Sequence, residues 1–164
     1  MKMNTRLKNK IIALTSAGAG TIAIATVLIT NFEGVSYTPY RDVANVLTVC
    51  HGHTGPDIVA DKKYTSDECA ALLDNDLKKT AVHVDKLLTV DLPDTTRAAL
   101  YSFAFNVGVG AFEKSTLLKK INSGDTVGAC NELRRWVYAG GKKWLGLVNR
   151  RDVEEQICLL AVKQ

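Results

Sequence analysis

The sequence predicts an α+β fold: a small β-hairpin lobe and a mainly helical C-terminal lobe joined by a long helix, with an N-terminal apolar helix in front. Three observations carry this. Residues 34–64 are rich in Val, Thr and Tyr and are punctuated by Pro39, Asn45, Gly52, Gly55 and Pro56, the chemistry of short strands and turns. After Thr65 the apolar residues recur at helical spacing. Residues 11–30 carry no charge at all. With 164 residues and 46% apolar content, the chain can bury one substantial core.

The first element is the uncharged run IIALTSAGAGTIAIATVLIT, residues 11–30. As one helix it would extend about 30 Å, the thickness of a bilayer's hydrocarbon core. Only eight of its twenty residues are Ile, Leu or Val, the rest being Ala, Gly, Ser and Thr. Insertion is therefore favourable by an amount on the order of a few kcal/mol. Lys2, Arg6, Lys8 and Lys10 precede the run and stay cytoplasmic under the positive-inside rule, which places residue 31 onward outside the inner membrane of a bacterium. A signal peptide cleaved near Ala23–Ala25 and a buried core helix are the competing readings. The expected division is 1–30, a basic head with a membrane segment, and 31–164, one globular domain.

Residues 34–64 are expected to form a hairpin or three short strands. Thr65 and Glu68 spell a capping box, and Cys69, Leu72, Leu73 and Leu77 follow at helical spacing, predicting a long helix to about Leu88. Pro93 and Asp94 start the next helix, TTRAALYSFAFNV, which is apolar nearly all round and is the expected buried centre. Its Tyr101, Phe103 and Phe105 read as core. Further helices are expected at 113–122, at 126–138 with Asp125 as cap and Gly140 and Gly141 as breakers, and from Asn149 to about Ala161. A β patch followed only by helices is an α+β pattern, with a cleft between the lobes as the natural ligand site.

Charge is unevenly spread. Residues 33–94 hold 11 acids and 6 bases, while residues 114–151 hold 9 bases with only Asp125 and Glu132 against them. A positive later half attracts polyanions such as nucleic acid, anionic lipid or cell wall. No nucleic-acid motif accompanies it. Cys50, Cys69, Cys130 and Cys158 show no C-x-x-C spacing, and their three complete pairings are not separable by sequence. The run CHGH packs Cys50, His51 and His53 together and, with His83, invites a metal reading. Adjacent strand residues point to opposite faces, so no metal and no cofactor is expected. His53 is instead expected to tie the hairpin to Asp74 or Asp76 on the following helix.

Glu33, Asp42 and Thr48 form E-x8-D-x5-T across the helix-to-hairpin region. Cutting a glycosidic bond needs one carboxyl to protonate the leaving oxygen and another to activate or position water. The proton donor needs a partly apolar pocket, for which Phe32 and Val35 are the candidates beside Glu33.

The surrounding EGVSYTPYRDVANVLTVCHGHTG resembles the active-site stretch of phage lysozymes, matching at Glu33, Gly34, Tyr40, Asp42, Thr48, Gly52, His53 and Thr54. Cys50 departs from that pattern, standing where glycine is usual. The resemblance continues through TTRAALYSFAFNVGVGAF, STLLKKIN and GACNELRRWVYAGGKKWLGLVNRR, so it covers residues 31–160 in order. It is to the T-even and lambdoid type of glycoside hydrolase, and it implies a lysozyme-like fold. By this resemblance Glu33 is the general acid, Asp42 holds or activates the attacking water and Thr48 contacts it. The bond cut is the β-1,4 link from N-acetylmuramic acid to N-acetylglucosamine in peptidoglycan, with inversion, which needs carboxyls roughly 6.5–9.5 Å apart. Asn106 is expected to face the cleft, with Arg135, Trp136, Gly140, Gly141 and Lys142 along the substrate groove.

Residues 1–30 resemble the signal-arrest-release segment of certain endolysins. The implied partners are peptidoglycan, the host inner membrane and the secretion machinery, acting on a monomer. The implied place is the inner membrane with the N-terminus cytoplasmic and the catalytic part periplasmic, then the periplasm after release. Only Asn31 and Phe32 separate Thr30 from Glu33, so tethering is expected to hold the acid away from the hairpin. A zinc-dependent peptidoglycan amidase and a non-enzymatic holin-like membrane protein are the rival readings.

Overall fold

A computed structural model describes residues 5–42 and 44–162; Lys2 of the basic head lies outside them. Helix α1 spans Thr5–Ser16 and α2 spans Thr21–Phe32, so the uncharged run is two helices rather than the one expected. The break falls at Ala17–Gly20, where Gly18 has φ +73°, a left-handed conformation that glycine adopts at little cost. No described helix is long and apolar enough to cross a membrane.

One face of these helices enters the protein's own core, while Ile12 stays exposed. Ile11, Ile24, Ala25, Leu28 and Ile29 have no exposed surface and join one cluster with Leu77, Val84, Leu100, Phe103 and Ile157. The hydroxyls of Thr15, Thr26 and Thr30 donate to the carbonyls of Ile11, Ile22 and Thr26 four residues back. Their polarity is thus satisfied inside the helix, whatever surrounds it.

The β lobe is antiparallel, order β1-β2-β3, from Ser36–Arg41, Leu47–Cys50 and His53–Thr54. Its register is irregular between Ser36 and Tyr40, where Pro39 lacks a ladder donor. Helix α3, Ser66–Leu87, carries the capping box that Thr65 and Glu68 predict, with both reciprocal bonds formed. His53 joins β3 to α3 through Nδ1 to Asp76 Oδ2 at 2.7 Å.

Helix α4, Asp94–Val107, is the buried centre, with every residue from Ala98 to Ala104 inside. Around it follow α5 (Val109–Glu113), α6 (Thr116–Asn122) and α7 (Thr126–Glu132). The helix expected over 113–122 is interrupted because Ser115 caps a new one, accepting from Leu118 N. The helix expected to reach Tyr138 stops at Glu132 and passes through a 3-10 turn, Leu133–Arg135, into a two-residue hairpin. Its strands, β4 (Tyr138–Ala139) and β5 (Lys142–Lys143), meet at Gly140 and Gly141, both with positive φ. Helix α8, Leu145–Cys158, starts before Asn149. Disulfides join Cys50 to Cys69 and Cys130 to Cys158.

Candidate active site

Glu33 is the residue at which α2 ends. Its backbone N–H still donates to Ile29 O, but its own dihedrals are extended, so the chain leaves the helix and runs directly into β1. The position is set by the burial of α2 against α4 and by one further contact: Arg150 Nη1, on α8, donates to Glu33 Oε1 at 2.5 Å. The Glu33 side chain keeps 29% of its surface exposed. The apolar pocket expected from Phe32 and Val35 is not what this carboxylate meets. Val35 is exposed, and the Phe32 ring carries the Arg150 guanidinium 5.1 Å from its centroid.

Asp42 follows β1 and organises the turn to β2. Its Oδ1 accepts from Ala44 N at 2.8 Å and Val46 N at 2.9 Å, and its own N–H donates to Val46 O. That side chain to backbone bonding is what a short acidic residue does in a turn, and it fixes the carboxylate against the strand ends. Thr48, on β2, is buried between cross-strand neighbours Tyr40 and Thr54, with Oγ1 donating to Val46 O at 3.0 Å.

Cys50 closes β2 with φ +59°, a left-handed conformation, which accounts for the glycine usual at this point of the motif. Its sulfur is bonded to Cys69 at the start of α3, so it is not a free thiol or a ligand. His53 uses its other nitrogen on Asp57 at 3.2 Å.

The remaining expected site residues divide. Asn106, near the end of α4, is exposed and its Oδ1 accepts from Arg151 Nη2. Arg135 is exposed but paired with Glu132 at 3.0 Å. The Trp136 ring stands edge-on to Phe103, 5.1 Å between centroids, and packs on the core. Gly140, Gly141 and Lys142 sit at the exposed turn of the β4–β5 hairpin.

Sequence reading missed Arg150, Arg151 and Glu154. The signal was present: residues 150–155, RRDVEE, place charges at i, i+3 and i+4 on a helix whose Val153 and Ile157 are core. Charged residues at the same helix face as core positions are buried charges awaiting partners. Burial pushes the Arg151 guanidinium down from its ordinary value, with Glu154 pulling it back up. Beside the Glu33–Arg150 pair opens a cavity of about 380 Å³ lined by Phe32, Ala139, Trp144, Gly146, Leu147 and Arg150. The exposed Trp144 is fixed by its Nε1 donating to Ala139 O at 3.0 Å.

The site thus sets a partly exposed carboxylate on a buried arginine, and follows it with a turn-held second carboxylate and a strand hydroxyl. Comparison with known proteins finds relatives over most of the chain. The family model described as Phage lysozyme matches residues 30–154. A SAR-endolysin of Bacteriophage PS119 is 56% identical over 165 residues, covering 97% of this chain and 98% of the relative. The active form of the P1 phage endolysin Lyz aligns with a TM-score of 0.77 and 26% identity, covering 95% of this chain and 94% of that one. The muramidase domain of SpmX from Asticaccaulis excentricus aligns with a TM-score of 0.76 and 27% identity, covering 82% and 94%.

Proposed function

Because this chain belongs to the phage lysozyme family, we propose that it hydrolyses the β-1,4 bond between N-acetylmuramic acid and N-acetylglucosamine with Glu33 as its acid. It is a phage endolysin, a glycoside hydrolase, and peptidoglycan is its substrate. The observation that carries the catalytic assignment is the Glu33–Arg150 contact. Arg150 occupies Oε1, which leaves Oε2 to hold the proton and give it to the leaving oxygen. Asp42 is used alike: Oδ1 belongs to the turn, and Oδ2 receives the water's proton. The Thr48 hydroxyl steadies that water. One oxygen of each carboxylate holds position and the other does chemistry.

Residues 1–30 serve first as a membrane tether with the catalytic part in the periplasm, and then, after release, as part of the enzyme. Burying Ile24, Leu28 and Ile29 in the core is worth roughly 4.5 to 9 kcal/mol, at about 1.5–3 kcal/mol per side chain, as an upper figure. Insertion of the same weakly apolar run into lipid is worth an amount on the order of a few kcal/mol. The two environments are close enough in energy for the segment to change between them. In the tethered state Glu33 is held at the lipid surface, away from Asp42 and Arg150. The secretion machinery delivers the chain, and the released enzyme acts as a monomer.

The test is digestion of purified peptidoglycan by the wild type and Glu33→Gln, with mass analysis of the products. Reducing N-acetylmuramic acid ends from the wild type and none from Glu33→Gln are expected. Anhydro ends would replace hydrolysis with transglycosylation, and free peptide amines would replace it with amidase chemistry.

A further inference from the structure

The arginine that holds Glu33 is itself held by a carboxylate with no exposed surface. Glu154 Oε1 accepts from Arg150 Nε at 3.0 Å and from Ser102 Oγ at 2.7 Å, while its Oε2 accepts from Arg151 Nη1. Arg150 spends its other nitrogens on Ser102 O at 3.2 Å and on Glu33. Arg151 continues outward, through Nη2 to Asn106 Oδ1 and through Nε to Trp136 O at 3.0 Å. The two guanidiniums rest on the rings of Phe32 and Phe103, at 5.1 and 5.0 Å.

Within this cluster two guanidiniums face one fully buried carboxylate, Glu154, and the Glu33 carboxyl accepts from Arg150 at its partly exposed edge. Buried charges are tolerable only when paired and hydrogen-bonded. A guanidinium is a rigid planar fork, so fixing Nε on one partner and Nη2 on another fixes where Nη1–H points. Glu33 therefore meets a donor whose direction is already set by α4 and α8.

We propose that Glu154 is a positioning residue for the hydrolysis: acting through Arg150, it fixes the Oε1 edge of Glu33 so that Oε2 faces the glycosidic oxygen. The inference rests on the reading of Glu33 as the acid. Misplacement of a reacting group by about 1 Å costs on the order of a hundredfold in rate, which is the effect Glu154 prevents. The same carboxylate, through Arg151, sets the side chain of Asn106.

The test uses the full released chain as wild type, Glu154→Gln, Arg150→Gln and the double variant, with kcat and KM measured on soluble uncrosslinked peptidoglycan strands. Melting temperatures are recorded alongside, and assays are run well below them. Glu154→Gln should lower kcat by about tenfold or more while KM changes by less than about twofold. In the Arg150→Gln background it should lower kcat no further, because the path to Glu33 is already cut. Ser102→Ala, which deletes one bond to Glu154 and no charge, should give a smaller kcat loss that also vanishes in that background. It remains readable if Glu154→Gln does not fold. A lower melting temperature with kcat within about twofold of wild type, or losses that multiply in the double variant, would overturn the proposal. Glu33→Gln is run in parallel: its inactivity keeps the acid assignment standing whatever Glu154 does, and its full activity would remove that assignment instead.

Discussion

Arg150 Nη1 and Glu33 Oε1 meet at 2.5 Å across 117 positions of sequence. Glu33 ends α2 and Arg150 lies in α8, so the proposed acid is completed only where these two helices, far apart in sequence, come together. The same guanidinium also bonds Ser102 O on α4. One buried side chain therefore ties α2, α4 and α8 at the point where catalysis is expected.

Replacing Arg150 by Lys tests the fork separately from the charge. Lys keeps the positive charge but cannot reach Glu33, Glu154 and Ser102 in one plane. Loss of a hydrogen bond to a charged group is worth about 1.5–3 kcal/mol, so kcat on peptidoglycan should fall roughly ten- to a hundredfold. Turnover equal to the wild type would show that the ammonium suffices and that fork geometry is irrelevant.

The His53–Asp76 bond should make stability depend on pH with a definite sign. Burial pulls the His53 pKa down, the hydrogen bond and charge of Asp76 and then those of Asp57 push it up, and the net movement is upward. The folded protein thus holds this proton more tightly than the unfolded chain does. Its contribution is fully present below the ordinary histidine value of about 6.5 and is lost as pH rises through the higher folded value. Asp76→Asn should accordingly lower the melting temperature more at about pH 5 than at about pH 8. Equal losses at both would rule the linkage out.

Cys50 offers a way to separate a disulfide from a backbone conformation. The bridge to Cys69 spans 19 residues and that from Cys130 to Cys158 spans 28, so each is worth about 3 to 4 kcal/mol by loop closure. A left-handed non-glycine residue costs about 1–2 kcal/mol, which the bridge offsets at Cys50. Cys50→Gly with Cys69→Ser should therefore be more stable than Cys50→Ser with Cys69→Ser by roughly 1 kcal/mol, read from denaturant midpoints. The reverse order would show that φ at this position carries no cost.

What could be read from sequence was whatever local chemistry decides. Thr65 with Glu68 and Asp125 with Gly128 cap helices where expected, since a cap is a contact within one turn. His53 bonds Asp76, one of the two candidate carboxylates two residues apart on the next helix. Gly140 and Gly141 read as breakers, but strands of two residues each carry too little periodicity to announce a hairpin. The cysteine pairing and the distant partners of the arginine cluster are not legible, because both depend on elements brought together from far along the chain; only the charge spacing at 150–155 is local. The run at 11–30 read as one span because charge is absent throughout; the Gly18–Gly20 segment that bends it was visible as composition, not as a turn.

That bend supplies the last prediction, because the same residues are judged by two environments. In the enzyme, Gly18 needs a left-handed φ that Leu would strain by about 1–2 kcal/mol, although a Cβ added at Gly18 or Gly20 meets no non-neighbouring atom within 4 Å. In lipid, each added Leu favours insertion by roughly 0.5 kcal/mol. Both effects push Gly18→Leu with Gly20→Leu toward the membrane, so lysis should be delayed and the protein should stay in the membrane fraction. Leu28→Ala acts on the enzyme side. It removes a side chain with no exposed surface, at a cost of about 2–5 kcal/mol to the folded enzyme, but changes insertion by only about half a kcal/mol. By the same balance it favours the membrane, so release should be slowed, and the enzyme that does escape should have a lowered melting temperature and less activity at 37 °C. Fractionation, lysis timing and melting curves of the two variants decide the matter: soluble protein and wild-type lysis timing from the leucine variant would mean that the leader's weakness in lipid does not govern release.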